Sequence, residues 1–333
     1  MIFITTIKDI AKHANVSISS VSKAFNNYKE IPEATKQRIF ESARVLNFVP
    51  NKAAKELSLG KFPYLGLIVQ HLTTDTSQDE HIFRMLSGVH SRTSETGHEL
   101  VLFTTDQIKQ KNMTYVEFCR HHSLIGAIIH GLDKDCPFFE ELLLSPIPCV
   151  LIDTVMEGLN TAFVSSDNIK ASFDVIDYLY EHGHRNIAHI LGSDSAEVTN
   201  QRRLGVLHAV EYYKLPQPVF ITGDFNEKTA YINTKKAIAG YDFTAVFAAS
   251  DLMALSALKA IYESGLKPKK DIALVGFDGL YILEHTNPPI STIYQDFYAM
   301  GRVAVDTLIN ISKKESFNKQ NFVPYMLLKR DSV

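Results

Sequence analysis

Thr6-Ile-Lys-Asp-Ile-Ala-Lys-His-Ala14, followed by Asn15-Val-Ser-Ile-Ser-Ser-Val-Ser-Lys-Ala-Phe25, decides how the chain begins. In the first segment Ile7, Ile10, Ala11 and Ala14 recur at helical spacing, and Thr6 with Asp9 three residues on makes a capping pattern. Asn15-Val16-Ser17 interrupts it. Ser17 is suited to cap a second helix, whose apolar stripe is Val21, Ala24 and Phe25 and which Asn26-Asn27 stops. Pro32, favoured at a first helical position, opens a third helix through Ile39, Phe40, Ala43 and Leu46. Three such helices make a minimal core. The second leaves Ile18, Ser19, Ser20, Ser22 and Lys23 outside, small hydroxyls and a cation near its N-terminal end. A helix so furnished fits the major groove of B-DNA, about 12 Å wide, where these groups reach base edges and phosphates. A generic three-helix domain with a Ser-rich solvated face is the alternative reading.

Charge supports the groove reading. Residues 1 to 61 hold ten Lys/Arg and five Asp/Glu, a balance of +5, whereas the whole chain of 333 residues carries -3, so the remainder is -8. A basic head on an acidic body is the pattern of a polyanion-binding module joined to a sensing or catalytic body. With 45% hydrophobic and 21% charged residues the chain is an ordinary globular protein of about two domains, which excludes disorder, collagen and coiled coil. Cys119, Cys136 and Cys149 are odd in number and form no C-x-x-C pair, which fits a reducing compartment and supports neither a disulfide framework nor a thiolate zinc site. The apolar start at Met1 to Thr5 ends at Lys8 and Asp9, and no run approaches the roughly 18 residues of a membrane span. The expectation is a cytoplasmic, nucleoid-associated protein with no membrane partner.

Thr6-Ile-Lys-Asp-Ile-Ala11, Ala14-Asn-Val-Ser-Ile-Ser-Ser-Val-Ser-Lys-Ala-Phe-Asn26 and Asn51-Lys-Ala-Ala-Lys-Glu-Leu57 strongly resemble the DNA-binding head and hinge of the lac repressor family of bacterial transcription regulators. The likeness runs over the whole chain, specific in the head and looser in the body. It implies that Ile18, Ser19 and Lys23 read bases and that Ser17 and Ser22 contact phosphates. It also implies that Thr6, Asn27, Asn51, Ala54 and Ser58 lie at the DNA, and that two chains pair as a homodimer on a pseudo-palindromic operator.

Residues 51 to 58 contain good helix formers, but eight residues are too few to hold a helix alone, since isolated helices below about 12 to 15 residues are marginal. This strip is therefore expected to be coil off DNA. The resemblance implies that it folds on the operator, pairs with its dimer mate in the minor groove and wedges Leu57 between base pairs. A passive tether with Leu57 packed on the body is the alternative. Gly60 and Pro63 mark the end of the linker. The expected organisation is a helix-turn-helix domain at 1–50, a hinge helix and linker at 51–62, and an effector-binding and dimerisation domain at 63–333.

From Tyr64 onward, apolar runs at 64–70, 99–104, 125–130, 148–153, 162–166, 186–191, 218–222, 245–249 and 272–277 alternate with helical patterns such as 80–96, 168–182, 200–213 and 251–264. Continuous apolar strands between helices argue for parallel sheets covered on both faces. There are too many for one ordinary sheet, so the body reads as two doubly wound α/β lobes divided near Thr154 to Thr161. The resemblance implies a periplasmic-binding-protein-like body in which the chain recrosses: a first lobe of about 63–156 and 288–315, and a second of about 157–287 and 316–333.

In open parallel sheets ligands bind beyond the carboxyl ends of the strands. Those ends read Gln70-His71, Thr104-Thr105, Gly131, Asp153, Gly192-Ser193, Gly223-Asp224, Ser250-Asp251 and Asp278, hydroxyls, carboxylates and glycines that suit a polyhydroxylated ligand. Carboxylates accept two sugar hydroxyls at once and an arginine supplies a fork of donors, for which Arg202 is the candidate. The resemblance selects the same residues: Asp278 as the acid holding the effector, Asp153 as a second acid, Arg202 as the effector arginine, and Ser250 where sugar-responsive members carry Asn. Ala196 stands where purine-responsive relatives have Arg, which counts against a purine. His81, Phe83 and Arg84 are expected to face the cleft from the first lobe, with a solvated or core-facing helix start as the alternative. Asp251 is read as a helix N-cap, since Ala254, Leu255 and Leu258 follow it.

An enzyme is the rival from another class, but no G-x-G-x-x-G, phosphate-binding P-loop or H-E-x-x-H occurs. His182-Gly-His184 has no carboxylate or thiol at ligand spacing, so neither metal nor cofactor is expected. A periplasmic sugar-binding protein would share the body, and both the basic head and the lack of an export signal oppose it. No leucine heptads follow Lys329-Arg330, so a dimer is expected instead of a tetramer.

Overall fold

The computed structural model describes residues 5–25, 28, 30–46, 48, 64–69, 79–104, 113–132 and 138–333. The chain forms two compact units, Met1–Phe62 and Pro63–Val333.

In the first unit, α1 (Ile7–His13), α2 (Ile18–Phe25) and α3 (Glu33–Val45) enclose Ile10, Ala11, Ala14, Val21, Ala24, Ile39 and Ala43. The Thr6 amide and hydroxyl donate to the Asp9 carboxylate at 2.8 and 2.7 Å, satisfying a helix-start donor and placing negative charge on the positive end of α1. Asn15 turns the chain with φ 51°, a conformation Asn tolerates. Pro32 sits one position earlier than the sequence suggests, as the N-cap of α3, because its ψ of 143° is extended.

The second unit holds two six-stranded sheets. The first lobe contains β1 (Tyr64–Val69), α4 (Asp79–Glu95), β2 (Glu99–Thr104), α5 (Tyr115–His121), β3 (Leu124–His130), α6 (Phe138–Leu144), β4 (Cys149–Ile152) and β5 (Thr161–Ser165). The second contains α7 (Asn168–Glu181), β6 (Ile187–Leu191), α8 (Glu197–Tyr213), β7 (Val219–Thr222), α9 (Glu227–Gly240), β8 (Ala245–Ala248), α10 (Asp251–Glu263), β9 (Ala273–Asp278), a 3-10 turn (Tyr281–His285) and β10 (Ser291–Gln295). The chain then returns to the first lobe with α11 (Phe297–Ser312) and β11 (Gln320–Phe322), and ends in the second with β12 (Tyr325–Leu328). The sheet orders are β11-β5-β4-β3-β1-β2 and β12-β10-β9-β8-β6-β7, parallel except where β12 runs antiparallel to β10.

Three lobe assignments from the sequence are thereby corrected. Thr161–Ser165 pairs with β4 and belongs to the first sheet, Ser291–Gln295 pairs with β9 in the second, and Gln320–Phe322 pairs with β5 in the first. A fully buried strand has the same apolar pattern in either sheet, so the pattern locates a strand without saying which neighbour it joins.

Burial on both sheet faces anchors each lobe. Leu65 and Leu67 on one face and Ile129 and Leu151 on the other in the first lobe, and Val246 and Leu274 on one face and Val275 on the other in the second, are fully buried, and each such side chain contributes about 1.5–3 kcal/mol relative to exposure. In the first lobe α4 crosses α11 so closely that a Cβ on Gly88 would lie 2.0 Å from the Tyr298 carbonyl oxygen. Among the described residues no helix is long and apolar enough to cross a membrane.

Candidate functional site

Two surfaces carry the sequence-selected residues. On the head, α2 buries Val21 and Ala24, which leaves Ile18, Ser19 and Ser22 on one exposed face, with Ile18 at 50% exposure. An isoleucine among hydroxyls on this face offers apolar contact and hydrogen bonds of the kind that reach base edges in a major groove. The Ser17 hydroxyl accepts the Ser20 amide at 3.0 Å and so caps α2. Lys23 lies at the edge of this face, paired with Glu30 at 2.5 Å, and that carboxylate holds the ammonium above its ordinary pKa. Thr6 is committed to Asp9. Asn27, Asn51, Ala54, Leu57 and Ser58 lie outside the described residues.

On the body, a cavity of about 550 Å³ opens between the lobes at the carboxyl ends of the strands. Asp153 and Asp278 enter it from opposite lobes, each from a backbone with positive φ, 60° and 125°. Such conformations strain a side-chain-bearing residue and are retained where the carboxylate's placement matters. A hydrogen-bonded path runs from Asp153 to Arg202, which stands beside Asp278. The Ser165 hydroxyl donates to Asp153 at 2.7 Å, Asn168 Nδ2 donates to Ser165 Oγ at 3.1 Å, and Arg202 Nε donates to Asn168 Oδ1 at 2.9 Å.

Arg202 is 3% exposed, and its guanidinium lies 3.8 Å over the Phe277 ring while Nη1 donates to the Ala249 carbonyl at 2.5 Å. Asp278 Oδ1 stands 3.9 Å from Arg202 Nη1 and accepts Gln295 Nε2 at 3.1 Å. Burial pushes the Asp278 carboxyl up to about 8; Arg202 opposes this, while Asp251 and Asp153 add to it. The arginine is thus fixed as a donor, and Asp278 can be held protonated, as a donor as well as an acceptor.

The first lobe supplies two imidazoles. His81 sits 5.7 Å from the His130 ring and 5.2 Å from the Phe297 ring. Burial, with the nearby His130, Arg202 and Arg84, lowers His81 to about 3, and burial lowers His130 against the pull of Asp153. Both are neutral near pH 7. The buried His130 Nδ1 and Gln295 Oε1 have no hydrogen-bond partner among the described residues. Both residues line the cavity, where a water or a polar group of a ligand can complete them.

Of the expected cleft residues, His81, Asp153, Arg202, Ser250 and Asp278 line the cavity and Phe83 and Arg84 do not. The expectation for these two is corrected. Phe83 follows Ile82, which packs on the core, so the helical turn of 100° per residue carries it to solvent at 67% exposure. Arg84 pairs with Glu80 at 2.6 Å and donates to the Gly279 carbonyl at 3.3 Å. Asp251 is not the N-cap of α10: Ser250 is, accepting the Met253 amide at 3.3 Å. Asp251 is buried instead, where it accepts the Thr292 hydroxyl and the Leu280 amide at 2.6 Å each.

Sequence reading missed His130, Gln295 and Phe297. Gln295 ends β10, so the strand-end rule finds it once β10 is assigned to the second sheet. The His182 and His184 rings go to different partners, the Tyr178 carbonyl and the Thr244 hydroxyl. No group of three His, Cys, Asp or Glu with metal-binding geometry occurs among the described residues. Cys119 and Cys149 are buried free thiols, and burial pushes Cys119 up to about 12.

Comparison with known proteins matches residues 6–51 to the bacterial regulatory proteins of the lacI family and residues 176–333 to a periplasmic binding protein-like domain. A probable HTH-type transcriptional repressor, ExuR of Bacillus subtilis (strain 168), is 30% identical over 98% of each chain. The HTH-type transcriptional regulator MalR of Clostridium butyricum is 27% identical, also over 98% of each. CytR, an HTH-type transcriptional repressor of Escherichia coli (strain K12), is 28% identical over 92% of this chain and 89% of its own. The lac repressor dimer bound to operator and the anti-inducer ONPF superposes over 99% of both chains with TM-score 0.86 at 24% identity, and so shares the fold. The CelR–cellobiose complex does so over 99% of this chain and 100% of its own, with TM-score 0.74 at 24% identity. A groove-suited second helix, a two-lobed body whose chain crosses between sheets, and a full-length relative at 30% identity agree: the chain belongs to the lacI family of bacterial regulatory proteins.

Proposed function

We propose that this protein is a transcriptional repressor that binds pseudo-palindromic operator DNA as a homodimer and responds to a sugar or sugar derivative held between its lobes. Ile18, Ser19 and Lys23 read bases, Ser17 and Ser22 contact phosphates, and Thr6, Asn27, Asn51, Ala54 and Ser58 complete the DNA surface. Leu57 is the minor-groove wedge. Two heads on half-sites about ten base pairs apart place both recognition helices on one face of the duplex. It acts in the cytoplasm, on the nucleoid.

The observation that carries the effector reading is the buried Arg202 fixed beside Asp278, in one cavity with Asp153 and with His130, whose Nδ1 has no partner among the described residues. A guanidinium and two carboxyls in one cavity supply the donors and acceptors that the hydroxyls of a sugar use. The repressors among the relatives, and the cellobiose named for CelR, support the same reading. An effector acts through differential affinity for two lobe arrangements, and a coupling of about 1–3 kcal/mol changes DNA affinity 5 to 150-fold.

The test is a thermal-shift panel of glucose, galactose, glucuronate, galacturonate, maltose and cellobiose, followed by DNA retention with and without the best stabiliser. Stabilisation without turnover, coupled to a change in DNA retention, is expected. Turnover of any panel sugar would replace the sensor reading with an enzyme.

A further inference from the structure

Beyond the cleft, the lobes touch at a second place. Glu80 and Arg84 stand one turn apart on α4 of the first lobe and pair at 2.6 Å. Together they reach the turn after β9 in the second lobe. Both Glu80 carboxylate oxygens accept the Tyr281 amide, at 3.2 and 3.3 Å, and Arg84 Nη1 donates to the Gly279 carbonyl at 3.3 Å. The Arg84 guanidinium also lies 5.6 Å from the centre of the Tyr294 ring.

That turn is rigid within its own lobe. Gly279 has φ +76°, and a Cβ there would lie 2.7 Å from Tyr294 Cα, so the backbone is pressed against β10. The Leu280 amide is held by buried Asp251, which Thr292 holds in turn. Asp278, the cleft acid, immediately precedes Gly279. A ligand that draws on Asp278 therefore pulls on a stiff segment whose other exit is the first lobe.

We propose that Glu80 and Arg84 form an interlobe latch on the 279–281 turn, and that this latch sets how strongly occupancy of the cleft is transmitted to the first lobe. The inference rests on the reading of the cleft as an effector site. Its two parts differ in tightness. The pair within α4 is short and preformed by helical spacing, whereas the contacts across the lobes are long. A small displacement of the turn releases the latch without dissolving the pair, so it re-forms with little ordering cost. Glu80 and Arg84 are positioning residues, since neither lines the cavity.

Hydrogen exchange on the full-length protein without sugar tests the contact directly. Glu80→Ala is expected to speed exchange of the Tyr281 amide at least tenfold, and Arg84→Met, which keeps Glu80 at the helix start, to speed it severalfold. The same proteins are then titrated with a duplex selected by the wild type from a random pool, with and without the panel sugar that stabilises it best. DNA affinity without sugar is expected to shift at least fivefold in both variants and the sugar midpoint to shift with it, while Glu80→Ala/Arg84→Met adds little to either single change. Unchanged exchange at Tyr281 in the well-folded variants overturns the latch. Faster exchange with DNA affinity within twofold of wild type overturns its role in transmission. If no panel sugar stabilises any of the proteins, the effector reading fails by itself, and the exchange and DNA measurements still decide the latch.

Discussion

Replacing Asp278 by Asn isolates the electrostatics of the cleft. The change is nearly isosteric: it keeps an oxygen to accept Gln295 Nε2 and removes only the ionisation. In the wild type, burial outweighs the attraction of Arg202 and lifts the carboxyl from an ordinary 3.8 to about 8. The native state therefore holds a proton that the unfolded chain releases. Stability from this group is fully present below the unfolded pKa and is lost as pH rises through the window up to the folded one. Each pH unit inside the window costs the wild type about 1.4 kcal/mol relative to the Asn variant, hence about 3 kcal/mol between pH 5 and 7. At about 2–4 °C per kcal/mol for a domain of this size, the Tm gap should widen by about 6–12 °C over those two units. Thermal unfolding of both proteins at pH 4, 5, 6, 7, 8 and 9 reads this directly. The gap should be small at pH 4, grow to pH 8 and then level off. A gap constant from pH 5 to 8 would mean that Arg202 keeps Asp278 ionised, and the account of the carboxyl as a donor to ligand would be wrong.

Three further outcomes are expected. Gly88→Ala should lower the urea midpoint, because overpacking against the Tyr298 carbonyl costs about 1–3 kcal/mol and more, at so short an approach, than the roughly 1 kcal/mol gained in helix propensity; an equal or higher midpoint would refute the tight α4–α11 crossing. Lys23→Ala should weaken DNA binding and make its salt dependence shallower by about one, while Glu30→Gln, by freeing the Lys23 ammonium, should tighten binding; no change in either slope or affinity would remove Lys23 from the interface. Leu57→Ala should weaken operator binding by about 1–3 kcal/mol and leave the sugar-induced thermal shift intact, and unchanged operator affinity would reject the wedge.

What the sequence made legible follows from the range of the forces involved. Helix starts at Thr6 and Ser17 were readable because a cap is a contact over three residues. Strands such as Tyr64–Val69 and Cys149–Ile152 were readable because burial on both faces writes itself as an unbroken apolar run. Sheet membership was not, since Thr161–Ser165 and Ser291–Gln295 look alike yet join different lobes. In the cleft, Asp153 and Asp278 were visible as acids at strand ends, and Arg202 as the fork of donors that the family resemblance also selects. His130 was not, because a histidine within an apolar strand reads as core until a neighbouring lobe opens a cavity beside it. Asp251 and Ser250 exchanged capping roles for a similar reason. Either side chain can cap α10, and only the 279–281 turn, distant in sequence, claims the carboxylate for its own amides. Arg84, likewise, is expected at the cleft from its place at the start of a helix, and the carbonyl that it reaches is 195 positions away.

The claim at the centre is that one chain couples a groove-reading head to a sugar-holding body. The direct measurement is selection of duplexes from a random pool by the full-length protein near physiological salt, repeated with the panel sugar that stabilises it most. The account predicts enrichment of a two-fold symmetric sequence with half-sites about ten base pairs apart, and a change in its retention of at least fivefold when that sugar is added. Duplexes recovered without symmetry, or retention indifferent to every sugar that binds, would contradict it.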